Sequence, residues 1–227
     1  MPPPRFIPPP HGCTMRLAPL CLCLLFALPA HIPAVATPAC ADGPLKLNEF
    51  MAGPARDWDG SGVFSSRDDE WVEVVNTGAT SLDLAGYLIT DRDSIPRLAL
   101  AGTLPSGGHL MATGGQAYAW EQANGKPAVG FSLANSGDAV LLWRVAGAET
   151  LLVDSYTYRS HEAAADRAVG RTPDGGGSWV IFDSLNPYTG ATLPPGNGCA
   201  PTPANPNVCE STPVARMPWG RLKAVYR

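Results

Sequence analysis

The chain reads as an all-β protein folded as a β-sandwich, and three features of the sequence carry that expectation. Gly and Pro number 24 each in 227 residues, enough to punctuate the chain after every short run. The apolar residues fall into about eight short runs rich in Val, Ile, Leu and aromatics, at roughly 8–15-residue spacing. Beyond the amino-terminal segment, no stretch sustains the 3.6-residue period of a long helix. Hydrophobic residues make up 45% of the chain and charged residues 16%, which supplies one ordinary domain core under a sparsely charged surface.

Taken in order, residues 1–41 read as a leader. Met15-Arg16 opens a basic region, and Leu17 to Ala30 is an apolar run of signal-peptide length, too short to span a bilayer. Small-residue cleavage sites follow at Ala34-Val35-Ala36 and at Ala39-Cys40-Ala41, and the Pro-rich residues 1–14 read as an upstream extension. Acylation at Cys40 would make a lipoprotein, but Thr37-Pro38-Ala39 is a poor match to the apolar and small residues that precede such a cysteine. Cysteine arithmetic favours the cut after Ala41. It removes Cys13, Cys21, Cys23 and Cys40 and leaves the even pair Cys199 and Cys209, expected to close a small disulfide loop in an oxidising compartment. No later stretch is long and apolar enough for a transmembrane helix, so the mature chain is expected to be secreted, extracellular or held in a cell envelope.

Residues 42–186 carry the strand pattern. Leu45 to Met51 alternates as a half-buried strand offering Leu45, Leu47 and Met51 to a core, and Gly53-Pro54 stops it. Trp71 to Val75 is the most strand-like run; Val72 and Val74 share one face and Trp71, Glu73 and Val75 the other, so both faces are partly apolar and the strand is central. Leu82 and Leu84, Gly86 to Thr90, Arg97 to Leu100 and His109 to Thr113 follow, separated by turns such as Pro105-Ser106-Gly107-Gly108. A looser stretch, Gly114 to Pro127, has room for a helical turn. Asn135-Ser136-Gly137-Asp138 sets up Ala139 to Trp143, Gly147 turns the chain into Leu151 to Tyr158, and Ser178 to Phe182 closes the series. Residues 187–227 break the pattern: a Pro/Asn-rich linker pinned by the Cys199–Cys209 loop, then a basic aromatic tail with Arg216, Trp219, Arg221, Lys223, Tyr226 and Arg227.

Together these residues resemble a known family. Leu47-Asn48-Glu49-Phe50, Glu70-Trp71-Val72-Glu73-Val74-Val75-Asn76-Thr77-Gly78, Leu82-Asp83-Leu84-Ala85-Gly86-Tyr87-Leu88-Ile89, Leu104-Pro105-Ser106-Gly107-Gly108, Asn135 to Leu142, Val153-Asp154-Ser155-Tyr156 and Arg171-Thr172-Pro173-Asp174-Gly175 before Trp179 look like a secreted bacterial lamin-tail (LTD) domain, in order from Leu45 to Phe182. The resemblance implies an immunoglobulin-like β-sandwich and a non-catalytic module of secreted or surface proteins, sometimes joined to hydrolases.

Within this frame Asp57 to Asp68 has the spacing of a twelve-residue calcium loop. Asp57, Asp59 and Ser61 take positions 1, 3 and 5, Gly62 the sharp turn at 6, Val63 offers its carbonyl at 7, and Asp68 a carboxylate at 12. Hard calcium needs several oxygens on a curled backbone, and short acidic side chains at alternate positions provide them. The expected cofactor is therefore calcium in a structural role. The departures are an Asp where position 12 favours Glu, a neutral Ser61, and strands where helices would flank an EF-hand. The competing reading is a solvated acidic turn.

Catalytic chemistry is poorly supplied. Of the four histidines, His11 and His31 lie in the leader; His109 reads as a surface residue and His161 lies in a polar stretch. There is no G-x-S-x-G and no Cys/His cluster, so no catalytic residue is assigned. The remaining enzymatic alternative is a secreted hydrolase, carbohydrate- or phosphodiester-directed, using the acidic run Asp68, Asp69, Glu70 and Glu73. Tyr87, Trp120, Trp143 and Tyr156 are core candidates that would equally stack on sugar rings, so a carbohydrate or a surface protein is the partner in view. Nucleic acid is disfavoured: the leader holds Arg5 and Arg16 and no acidic residue, leaving 14 of the 16 Lys+Arg against 20 Asp+Glu, a net of −6.

Overall fold

The computed structural model describes residues 43–209. The leader, with its cleavage sites and Cys40, and the tail from Arg216 to Arg227 lie outside the described residues.

Among the described residues eleven strands and one helix follow one another: β1 (Leu45–Met51), β2 (Trp71–Asn76), β3 (Leu82–Asp83), β4 (Tyr87–Thr90), β5 (Pro96–Ala99), β6 (Thr103–Leu104), β7 (His109–Thr113), α1 (Gly114–Ala123), β8 (Ala139–Ala146), β9 (Glu149–Thr157), β10 (Ala168–Thr172) and β11 (Ser178–Phe182). A five-stranded sheet in the order β11-β10-β1-β2-β7 faces a four-stranded sheet in the order β5-β4-β8-β9, and β3 and β6 form a small ribbon. The ladders are antiparallel. This is the β-sandwich that the strand pattern predicts, in the immunoglobulin-like form that the family resemblance implies.

Side-chain alternation explains the core. Leu45, Leu47, Val72, Val74 and Val169 of one sheet meet Tyr87, Ile89, Val140, Leu142 and Val153 of the other, all buried. Burying each such side chain is worth about 1.5–3 kcal/mol, so this layer is the main source of stability. Beta1 breaks its own alternation: the β1–β2 register shifts between Leu47 and Glu49. A bulge adds one residue, so Phe50 returns to the core while Glu49 and Met51 turn to the outer face. Met51, expected beside Leu45 and Leu47, instead joins Trp71, Ala168, Phe182 and Cys199 in a second cluster on the far side of the sheet.

Three expectations need correction. The stretch at 114–127 holds a full helix, α1, started by a capping box between Thr113 and Gln116. Beta10 was hidden because Ala168-Val169-Gly170-Arg171-Thr172 is short and interrupted by Gly; a Cβ at Gly170 would stand 2.7 Å from Asn207 Nδ2 and 3.0 Å from Glu49 Cγ. Only glycine leaves room for the chain that crosses there. That chain is the third correction. Residues expected as linker pack on the outer face of the five-stranded sheet, where Gly196 bridges Ile181 and Cys199 pairs with Cys209.

Candidate metal centre

The loop from Asp57 to Asp69 leads into β2, and its shape is made by carboxylates accepting backbone N–H groups. Asp57 Oδ1 accepts from Gly60 N (2.8 Å) and its Oδ2 from Gly62 N (2.7 Å), while Asp59 Oδ1 accepts from Ser61 N (2.8 Å). Gly62 has φ +85°, the left-handed conformation position 6 requires. Asp69 is fully buried and ties the two ends of the loop: Oδ1 accepts from Trp58 N (2.6 Å) and Asp59 N (3.0 Å), and Oδ2 from Ser65 N (2.7 Å). Trp58 anchors the loop from the side, its Nε1 donating to Asp166 Oδ1 (2.8 Å) and its ring 6.2 Å from that of Trp71.

The structure brings Asp57, Asp59 and Asp69 together, with one oxygen from each inside 4.8 Å of the others. Asp68, the residue counted as position 12, is turned away. Arg67 holds it in a two-pronged ion pair, Nε to Oδ1 at 2.6 Å and Nη2 to Oδ2 at 2.8 Å, and this keeps its carboxyl below the usual range. The reason is the turn that closes the loop: Asp69 N donates to the Ser65 carbonyl (3.0 Å), the Asp69 carboxylate accepts from Trp58, Asp59 and Ser65 N–H, and Asp68 is left beside Arg67. Ser61 Oγ donates to the Val63 carbonyl (3.1 Å), and Ser61, Val63 and Phe64 are exposed. The donor set is all oxygen, three of them anionic, which is the chemistry of a hard divalent cation.

The acidic run does not converge. Asp68 is on the surface with Arg67 and Asp69 is spent on the loop. Glu70 faces inward, accepting from Leu133 N (3.2 Å), and burial pushes its carboxyl up to about 8. Glu73 faces outward and accepts from Asn48 Nδ2 (2.8 Å) and Ala204 N (2.5 Å); burial pushes it up to about 7. Two grooves, of about 440 and 300 Å³, are lined by Trp58, Pro201, Thr202, Pro203, Asn205, Pro206 and Val208 and by Leu88, Thr90, Ser94, Pro96, Trp143 and Thr150; no carboxylate lines either.

Other sequence candidates fall into structural roles. His109 is half-buried, its side chain covered rather than on the surface, with Nε2 3.2 Å from Asp174 Oδ2. Asp154 joins the two sheets, accepting from Leu47 N (3.0 Å) and Arg171 Nη2 (2.9 Å). The His161 ring stacks on Tyr188. Tyr87 is core, Tyr156 packs on Trp179 with centroids 4.3 Å apart, and Trp120 lies half-buried against the core. Trp143 differs: it lines the smaller groove, its Nε1 donating to Thr90 Oγ1 (3.0 Å).

The comparisons agree with this architecture. The family model described as Lamin Tail Domain matches residues 38–160, a little over half of the chain. No curated protein and no solved structure matches the sequence.

Proposed function

The chain belongs to the lamin tail domain family, a non-catalytic immunoglobulin-like fold, and from that premise we propose that it is a secreted or cell-surface module with a binding, adhesion or envelope-structural role, stabilised by calcium in the Asp57–Asp69 loop. The observation that carries the reading is the dispersal of the acidic run. A glycoside hydrolase would need two carboxylates facing one substrate about 5–9.5 Å apart, whereas Asp68, Asp69, Glu70 and Glu73 each serve a different structural neighbour.

Secretion is supported by the leader read from the sequence and by the Cys199–Cys209 bond, which suits an oxidising compartment. Among the described residues no helix is long and apolar enough to cross a membrane. Calcium is supported by the convergence of Asp57, Asp59 and Asp69. These carboxylates, with the Val63 carbonyl, would hold the ion; it would offset their mutual repulsion and fasten the loop to the start of β2. For the binding role, the Trp143 groove is the candidate contact. Its lining of one tryptophan, a leucine, a proline and three hydroxyl residues carries no charge and suits a neutral carbohydrate ring better than an ionic ligand.

A thermal melt in millimolar calcium and in chelator tests the metal. Extracellular-type affinity, on the order of 10⁻⁴–10⁻³ M, predicts a midpoint several degrees higher with calcium; equal midpoints would remove calcium from the account. Retention of wild type and Trp143→Ala on insoluble polysaccharides tests the groove: loss of retention in the variant supports it, and identical behaviour rejects it.

A further inference from the structure

The outer face of the five-stranded sheet carries an arrangement that the metal loop does not use. Glu49 of β1 and Glu73 of β2 stand directly opposite one another in the ladder, at 1% and 0% exposure. Two carboxylates so placed are a few ångströms apart, and like charges opposite one another destabilise a sheet. What buries them is the disulfide-closed segment 199–209. Glu49 Oε2 accepts from Thr202 N (3.1 Å) and Thr202 Oγ1 (2.7 Å), and Glu73 Oε2 accepts from Ala204 N (2.5 Å). Asn207 completes the seat: its N–H donates to Asp174 Oδ1 (2.9 Å) and its Nδ2 to the carbonyls of Asn48 (3.2 Å) and Arg171 (2.9 Å).

We propose that residues 199–209 form a pH-released latch, docked on the sheet while Glu49 and Glu73 together retain a proton and loosened when both are ionised. The donors they meet, Thr202, Asn48 and Ala204, are neutral. The surrounding elements add Asp174 from the turn after β10, His109 from β7 beside Asp174, and Lys46 from β1, while β10 presents only Gly170 opposite Glu49. The charge of Asp174 adds to the cost of ionising both glutamates.

The direction follows from linkage. Burial, reinforced by the Glu73 charge, pushes Glu49 from 4.5 up to about 8, and burial pushes Glu73 from 4.5 up to about 7. With the segment lifted, both carboxyls meet water and return toward 4.5. The docked state therefore binds protons that the open state releases. Docking is fully favoured below about 4.5, weakens as pH rises, and reaches its weakest above about 8. The disulfide keeps the released loop short and near its seat. Opening would bare the apolar cluster of Met51, Trp71 and Phe182 that Cys199 helps to cover.

Amide hydrogen exchange in the full chain, corrected for intrinsic rates between about pH 5 and about pH 9, tests the latch. Protection of Thr202, Ala204 and Asn207 is expected to fall at least about tenfold across that range while Val74 in the core holds steady. Glu73→Gln and Glu49→Gln, measured separately, are each expected to flatten the fall. Constant protection in wild type, a parallel fall at Val74, or an undiminished fall in both variants would overturn the proposal.

Discussion

Two clusters of carboxylates share the outer face of one sheet and are handled in opposite ways. At the loop, Asp57, Asp59 and Asp69 are solvated by curled backbone, each accepting N–H groups from its own neighbourhood in sequence, and Asp57 remains exposed. Under the 199–209 segment, Glu49 and Glu73 are buried and accept from residues 153 and 131 positions away. At the loop the donors are local backbone N–H groups, with Asp57 exposed, Asp59 half-buried and Asp69 buried. Burial beneath a distant segment makes the same functional group resist ionisation. Residue type thus decides little; the source of the donors and access to water decide the rest.

The sharpest way to break this contrast is Asp69→Ala. Three N–H groups, of Trp58, Asp59 and Ser65, would lose their acceptor, and a loss of about 3 kcal/mol is expected in denaturant unfolding. Next is the other cluster's clasp. Cys199→Ser is expected to cost about 2–3 kcal/mol, since the bond closes a loop of sequence separation 10. It should also lower protection at Thr202 in hydrogen exchange. Gly62→Ala, forced to φ +85° in open space, should cost about 1 kcal/mol through backbone conformation alone. Asp68→Asn is the smallest, under about 0.5 kcal/mol, because an exposed pair with Arg67 is screened by water. Adjacent aspartates with effects so far apart would confirm that the turn before β2, not spacing from Asp57, selects the loop's carboxylate.

The same contrast shows which parts of the molecule are legible in sequence. Local determinants read well. Alternation in Trp71 to Val75 placed Val72 and Val74 in the core and made β2 central, and Gly62 at the turn of an Asp-rich loop gave the curl and two of the three converging carboxylates. The third was misjudged because position 12 of a helix-flanked loop is not position 12 of a strand-flanked one. Long-range determinants did not read. Nothing local in Pro201-Thr202-Pro203-Ala204 says that its N–H groups cap Glu49 and Glu73, so the segment resembles a linker. Gly170 looks like a strand breaker until the crossing chain at Asn207 is known. Met51 changes face through a bulge that its neighbours' hydrophobicity does not reveal.

The account turns on the loop cluster being a cation site and on Asp68 lying outside it. Isothermal calorimetry with calcium on wild type, Asp59→Asn and Asp68→Asn puts this to the test, because Asp59→Asn keeps an acceptor for Ser61 N while removing a charge. The predicted result is millimolar to submillimolar binding in wild type and Asp68→Asn, weakened at least about tenfold in Asp59→Asn. Equal binding in all three, or loss in Asp68→Asn alone, would contradict it.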